Sequence, residues 1–215
     1  MPVLNLMTAR LARRPAVAYH ASAPQPVDEP DMWIFGYGSL MWKPGFEFVE
    51  RHEARIHGYQ RDFCIYSRIH RGTWERPGLV LGLDTGGSCH GVAYRVADDA
   101  RAEVAAYLKV REQPTAVYHE VNAQVTLLDD TGRSVDAMCY VADHSHEQYA
   151  GKLPLAHKVE LILNRGGKSG TNLEYVQRTV ECLDELGIRD DAIDQLWRAV
   201  VARRTARARA ARGTT

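Results

Sequence analysis

The pattern of apolar residues changes character at Pro154, and that change limits the folds open to the chain. Before it, apolar side chains come in short runs rich in aromatic and β-branched residues, at 33–37, 59–66, 79–83, 92–96, 121–128 and 135–141, which is the pattern of strands. Asp84-Thr85-Gly86-Gly87-Ser88 lies between the third and fourth runs and predicts a hairpin; Asp129-Asp130-Thr131-Gly132 predicts a second. Between the two, Asp98 or Asp99 can cap a helix through Glu103, Val104, Tyr107 and Leu108 that Pro114 must end. After Pro154, Leu155, Val159, Ile162 and Leu163 share a helix face until Gly166-Gly167. Leu173, Val176, Val180 and Leu183 repeat at the same spacing until Gly187, and a last helix starts near Asp190. Strands joined as hairpins, one inserted helix and terminal helices define an α+β class: a small closed antiparallel or mixed β-barrel with surrounding helices.

The 215 residues fit one domain. Residues 31–200 carry the periodic patterns and form the expected domain. Residues 1–30 are basic up to Asp28 and rich in Ala and Pro, which predicts a disordered extension. Residues 201–215 read as a basic tail that frays. Lysine plus arginine equals aspartate plus glutamate at 27 each, so no overall field points to nucleic acid, and the tail arginines have no interleaved aromatic residues for stacking on bases. No apolar run approaches the length of a membrane span. The cysteines, Cys64, Cys89, Cys139 and Cys182, form no CxxC pair and read as buried free thiols, which favours a reducing, cytoplasmic setting.

Several chemical motifs fail on inspection. Gly167-Lys168-Ser169 resembles the end of a phosphate-binding loop, but Ile162 stands where that loop needs its first glycine. Gly36-Tyr37-Gly38 lacks the third glycine of a dinucleotide site, since Met41 occupies the position. His144-Ser145-His146 has alternate spacing but no evident third ligand, so no metal and no cofactor is expected.

Two stretches remain. In FGYGSL, residues 35–40, a strand opens into glycines around Tyr37, followed by Ser39 and Leu40; such a turn leaves backbone N–H groups uncovered for an anion or an oxyanion, or else simply ends the strand. Arg111-Glu112 closes the inserted helix, where the macrodipole disfavours a carboxylate, and a locally misplaced residue often marks a site. Glu103 is nine residues earlier, which at about 100° per residue puts it on the opposite face, so the two acids should not act as a pair.

Five blocks in order, WIFGYGSLMWKPGFEF, GYQRDFCIYSRIHRGTWERPGLVLGL, GVAYRV, YLKVRE and SGTNLEYV, resemble the ChaC family of γ-glutamylcyclotransferases, particularly its bacterial members. The resemblance runs from Trp33 to about Gly187. It implies a γ-glutamylcyclotransferase-like barrel and cleavage of glutathione to 5-oxoproline and cysteinylglycine. Carried over by position, Tyr37, Gly38, Ser39 and Leu40 form the substrate cradle, Glu112 is the catalytic acid and base, and Tyr175 is a substrate-binding tyrosine. Two stretches depart from the family pattern. Gln113-Pro114-Thr115-Ala116-Val117 stands between Glu112 and Tyr118, where glycines are common, and Arg165-Gly166-Gly167-Lys168 replaces a Gly-Pro run before Ser169.

In the implied reaction the substrate's own α-amine attacks its γ-carbonyl, so the protein supplies no nucleophile. With an α-amino pKa of roughly 8, about a tenth of the amine is neutral at pH 7, a cost of about 1.4 kcal/mol that a positioned base offsets. Cyclotransfer on other γ-glutamyl compounds, or non-catalytic binding of a γ-glutamyl group or small anion, are the alternatives. Binding alone has no need for Glu112.

Overall fold

A computed structural model describes residues 31–212 of the chain. The expectation for residues 1–30 lies outside them.

Five strands close a barrel: β1 (Met32–Gly36), β2 (Glu50–Ser67), β3 (Gly78–Val96), β4 (Tyr118–Leu127) and β5 (Ser134–Ala142), in the order β1-β3-β2-β4-β5. Neighbours are antiparallel except at the closure, where β5 runs parallel to β1 through Trp33↔Ala137 and Ile34↔Met138, and to β3 at Leu83↔Val141. The barrel is therefore mixed. The buried core includes Phe35, Phe63, Leu81, Leu83, Val92 and Val125, each almost fully buried.

The hairpin expected at 84–88 is not formed. Residues 79–83 and 92–96 belong to one strand, β3, which pairs with β2 on both sides of Gly86-Gly87. Tyr59 pairs with Thr85 and His57 with Ser88, so one residue of β2, Gly58, faces two glycines of β3 across a register shift. All three glycines have positive φ, at 83°, 103° and 64°. A β-bulge uses the same left-handed conformations as a tight turn. What separates the two outcomes is a long partner strand, and β2 supplies it. The second hairpin forms as expected, from Tyr118↔Ala142 to Thr126↔Ser134.

A 3₁₀ turn, Asp98–Ala100, leads into α1 (Arg101–Glu112), which crosses from β3 to β4. Ala100 occupies the N-cap, so neither Asp98 nor Asp99 caps α1. Val104 and Leu108 bury against Ile34, Leu40, Val96 and Tyr140, which fixes the helix to the barrel and aims its last turn at the end of β1.

After Pro154 come α2 (Leu155–Asn164), two short strands β6 (Gly166–Gly167) and β7 (Gly170–Thr171), then α3 (Asn172–Glu185) and α4 (Asp191–Arg212). Thr171 and Glu174 form a capping box at the start of α3. Asn172 is fully buried; it accepts from the Leu79 N–H at 2.6 Å and donates to the Leu79 carbonyl at 2.6 Å, as a strand neighbour would. Residue 200, taken from the sequence as the domain's end, falls inside α4. The helix continues through Arg212, and Arg203 and Arg207 reach Glu160 of α2 at 3.1 and 2.6 Å. Among the described residues, no helix is long and apolar enough to cross a membrane.

Candidate active site

A cleft of about 460 Å³ opens where β1 ends, between the last turn of α1, the loop after β2 and the start of α3. All six residues singled out from the sequence, Tyr37, Gly38, Ser39, Leu40, Glu112 and Tyr175, line it. The fold thus gathers segments more than 130 positions apart.

The FGYGSL loop owes its shape to where its carbonyls go. The Tyr37 carbonyl accepts from Arg61 Nε at 2.6 Å. The Gly38 carbonyl accepts from the Met41 N–H at 2.8 Å, and the Ser39 carbonyl from the Lys43 N–H at 3.0 Å. The Leu40 carbonyl accepts from the Tyr94 hydroxyl at 3.0 Å. No peptide bond here is cis, and in a trans peptide the C=O and the following N–H point in opposite directions. With the carbonyls of residues 37, 38 and 39 turned into the protein, the N–H groups of Gly38, Ser39 and Leu40 are turned away from it, and none has an acceptor among the described residues. Three adjacent unpaired donors at a cleft are a ready anion site.

Glu112 is the last residue of α1 and its side chain is only 18% exposed. Burial raises its pKa above the ordinary glutamate value, opposed by the Arg111 charge. Arg111 Nε lies 2.9 Å from Glu112 Oε1, within ion-pair range, but its N–H is not aimed at the oxygen, and Oε1 has no hydrogen-bond partner. Glu112 is therefore not an exposed glutamate at the helix end. Glu103, in contrast, is exposed and outside the cleft, as the helical spacing predicts. Arg111 also donates from Nη1 to the carbonyls of Lys43 and Pro44, each at 2.6 Å, and from Nη2 to Ser39 Oγ at 3.0 Å. It joins the acid to the donor loop.

Three buried phenols surround the acid. Tyr37 donates to the Tyr140 carbonyl at 2.9 Å and Tyr118 to the Leu81 carbonyl at 2.7 Å. Burial raises the pKa of each, and of Tyr175, and the Glu112 charge adds to all three. They are neutral donors rather than bases. The unusual segment 113–117 does not displace Tyr118 from the cleft, and Ala116 carries it at φ 56°, a conformation that glycine adopts more readily.

Of the Arg165–Ser169 departure, Ser169 lines the cleft. Gly167 pairs with Gly170, and the Lys168 and Ser169 N–H groups bond the carbonyls of Ile69 and His70, each at 2.9 Å. A side chain at Gly167 would meet the Ile69 carbonyl at 2.5 Å, so only glycine fits. This brings His70 Nδ1 to 2.9 Å from Ser169 Oγ. Arg71 stacks over the Tyr175 ring at 5.4 Å, and burial lowers its pKa. Arg68 and Lys43 also line the cleft, so cations predominate around one acid.

Arg61, Arg71, Arg111 and Tyr118 were not singled out from the sequence. For Arg61 a signal existed: a charge inside the aromatic run 59–66, at the spacing that buries Phe63. For Arg111 adjacency to Glu112 was the hint. Arg71 had none, since only the docking of β6 and β7 defines its surroundings. His144, weighed as a ligand, instead pairs with the buried Asp84 at 2.5 Å and stacks on Tyr149.

Comparison with known proteins gives the same class as this barrel and cleft. The family model described as ChaC-like protein matches residues 32–203. The chain belongs to the ChaC-like family. It is 37% identical over 169 residues, 79% of its length and 72% of the relative's, to the glutathione-specific γ-glutamylcyclotransferase of Escherichia coli strain K12. It is 34% identical over 162 residues to glutathione-specific γ-glutamylcyclotransferase 1 of Homo sapiens, covering 74% of this chain and 73% of that one. A crystal structure of a yeast γ-glutamyl cyclotransferase specific to glutathione superimposes with a TM-score of 0.71 at 26% identity, covering 81% of this chain and 99% of the other.

Proposed function

We infer that the protein is a γ-glutamylcyclotransferase that converts glutathione to 5-oxoproline and cysteinylglycine. The observation that carries this is a buried carboxylate, Glu112, whose Oε1 has no hydrogen-bond partner, in one cleft with three unpaired backbone donors, Gly38, Ser39 and Leu40.

The chemistry follows from that pairing. Glu112 takes a proton from the substrate's α-ammonium; its raised pKa makes it a better base than an ordinary glutamate. The free amine adds to the γ-carbonyl carbon, forming the C–N bond of a five-membered ring. The carbonyl oxygen becomes an oxyanion facing the N–H groups of residues 38–40, and one such donor is worth about 3 to 4 kcal/mol. As the intermediate collapses, the bond to the cysteinyl nitrogen breaks and Glu112 returns its proton to that leaving amine, while the ring nitrogen gives up its second proton, by way of the same carboxylate, to the departing amine, which leaves as an ammonium. Tyr37, Tyr118 and Tyr175 stay protonated and hold the γ-glutamyl group, while the cations at Arg71 and Lys43 suit the substrate's carboxylates. Glutathione and buried free thiols both belong to a reducing compartment, the cytoplasm.

The test is incubation of the purified protein with glutathione, following 5-oxoproline and cysteinylglycine by mass. Equimolar appearance of both supports the reading; binding without products reduces the protein to a γ-glutamyl binder. Turnover of γ-glutamylalanine should be slower, because it lacks the thiol and the glycyl residue, and its terminal carboxylate sits one residue nearer the scissile bond. Equal rates for the two would show that the cysteinylglycine end is not read and would leave cyclotransfer on γ-glutamyl compounds in general.

A further inference from the structure

Arg61 lies outside the cleft, in the middle of β2, with a side chain only 1% exposed. Burying a guanidinium costs several kcal/mol unless its donors are satisfied, and here they go to three separate segments. Nε donates to the Tyr37 carbonyl at 2.6 Å, Nη2 to the His90 carbonyl at 2.5 Å with Met41 Sδ at 3.7 Å, and Nη1 to Asp190 Oδ2 at 2.7 Å. Asp190 in turn accepts from the Ile193 N–H through its other oxygen, at 3.2 Å, and so caps α4.

The bond to Tyr37 has a consequence at the cleft. In an ordinary reverse turn the carbonyl of residue 37 would accept from the N–H of residue 40. Arg61 occupies that carbonyl, the turn closes one residue later at Met41, and the Leu40 N–H is left free. Holding the Tyr37 carbonyl also holds the trans peptide that follows it, and with it the direction of the Gly38 N–H. A cation on a peptide oxygen polarises the whole unit, so the N–H at its other end becomes a stronger donor.

Resting on the activity inferred above, we propose that Arg61 is a positioning residue for cyclotransfer: it sets the Tyr37–Gly38 peptide so that the Gly38 N–H faces the developing oxyanion. It acts through the backbone and touches no substrate atom.

The experiment compares wild type, Arg61→Lys and Val200→Ala. Lysine keeps a cation for Asp190 but lacks the planar fork that reaches Tyr37 and His90 together. Val200 is fully buried in α4, away from the cleft, so its truncation lowers Tm by loss of packing alone. Losing an oxyanion donor outright costs about 10²- to 10³-fold in kcat, and a loosened one should cost about 10-fold or more. The expected result is that drop in kcat for Arg61→Lys with KM for glutathione nearly unchanged, while Val200→Ala at a comparable Tm keeps its kcat. A folded Arg61→Lys protein with wild-type kcat overturns the proposal, as does a kcat loss shared equally by Val200→Ala. A second measurement needs no variant: the amide resonance of Gly38 in ¹⁵N-labelled wild type should move downfield on saturation with 5-oxoproline, and an unmoved resonance overturns the proposal even if Arg61→Lys fails to fold. Wild type that makes no cysteinylglycine would remove the activity itself, whereas these outcomes in an active wild type remove only the role of Arg61.

Discussion

The loop at residues 37–42 and the turn at residues 129–132 are both short, glycine-containing reversals at strand ends, yet they treat their backbone donors in opposite ways. In the second, Asp129 Oδ1 accepts from the N–H groups of Thr131 and Gly132 at 3.0 and 3.1 Å and from the Thr131 hydroxyl at 2.5 Å, and the Asp129 carbonyl accepts from Gly132 again at 3.2 Å. The turn satisfies itself. In the first, the residue at the equivalent position is Tyr37, whose side chain reaches away to Tyr140 and whose carbonyl is taken by Arg61. No local acceptor remains for Ser39 and Leu40. A turn that carries its own carboxylate is closed by its sequence, whereas one whose first carbonyl is held by a distant arginine, and whose own bonds close only at Met41 and Lys43, leaves the amides of residues 38–40 unpaired.

The largest effect should come from removing the acid that the open loop faces. Glu112→Gln keeps the side chain's shape but cannot exchange a proton, so kcat should fall about 10²- to 10⁴-fold with the fold intact, while Glu103→Gln on the exposed face costs little. In wild type the acid limb of kcat/KM should lie above the ordinary glutamate range, since burial raises the Glu112 pKa. The same shift has a cost in stability. As pH rises from the unfolded glutamate value toward the raised folded value, the unfolded state gives up its proton first, the native state holds more protons, and stability falls. Glu112→Gln should therefore melt above wild type at neutral pH, and the gap should close below the ordinary glutamate range. A variant that is fully active, or that melts below wild type at neutral pH with the gap unchanged on acidification, would remove the buried base from the mechanism.

A smaller effect is expected from giving the open loop what the closed turn has. Ser39→Asp places a carboxylate beside Arg111 and the free donors, where it competes with the substrate's own anionic groups. Like-charge juxtaposition costs several kcal/mol, so KM for glutathione should rise about 10- to 100-fold. An unchanged KM would mean that these donors do not meet the substrate's charge.

How far these features could be read in advance depends on how local their causes are. The 129–132 turn was legible because Asp129, Thr131 and Gly132 contain all of its bonds. The helix facing of Glu103 and Glu112 was legible because periodicity is a local property of α1. The role of Gly86-Gly87 was not, because β2 decides between bulge and hairpin and its reach along β3 is a tertiary fact. The six cleft residues were found through three of the five family-like blocks, WIFGYGSLMWKPGFEF, YLKVRE and SGTNLEYV, which contain them. Arg61 contributes through a carbonyl 24 positions away and Arg71 through surroundings set by β6 and β7, and neither relation has a period or a spacing. Likewise Glu160 of α2 pairs with Arg203 and Arg207 of α4, partners that the arginines' own sequence does not announce.

The smallest effect isolates the closed turn. Asp129→Ala removes the acceptor for two backbone donors and a hydroxyl, together with the ion pair from His52 at 3.3 Å, all on the surface and far from the cleft. Tm should drop modestly while kcat and KM for glutathione stay at wild-type values. The pH dependence has a definite sign. Hydrogen bonding from Thr131, foremost from its hydroxyl, lowers the Asp129 pKa, so the native state releases its proton at lower pH than the unfolded state. The contribution is fully present above the ordinary aspartate value and is lost as pH falls through the lowered one. The Tm difference between Asp129→Ala and wild type should accordingly be constant from neutral pH down to the aspartate range and shrink below it. A difference that persists at the acid end would show that the turn draws its stability from the backbone alone, and a change in kcat would show that the two reversals are coupled across the barrel, contrary to the independence their separate hydrogen bonds imply.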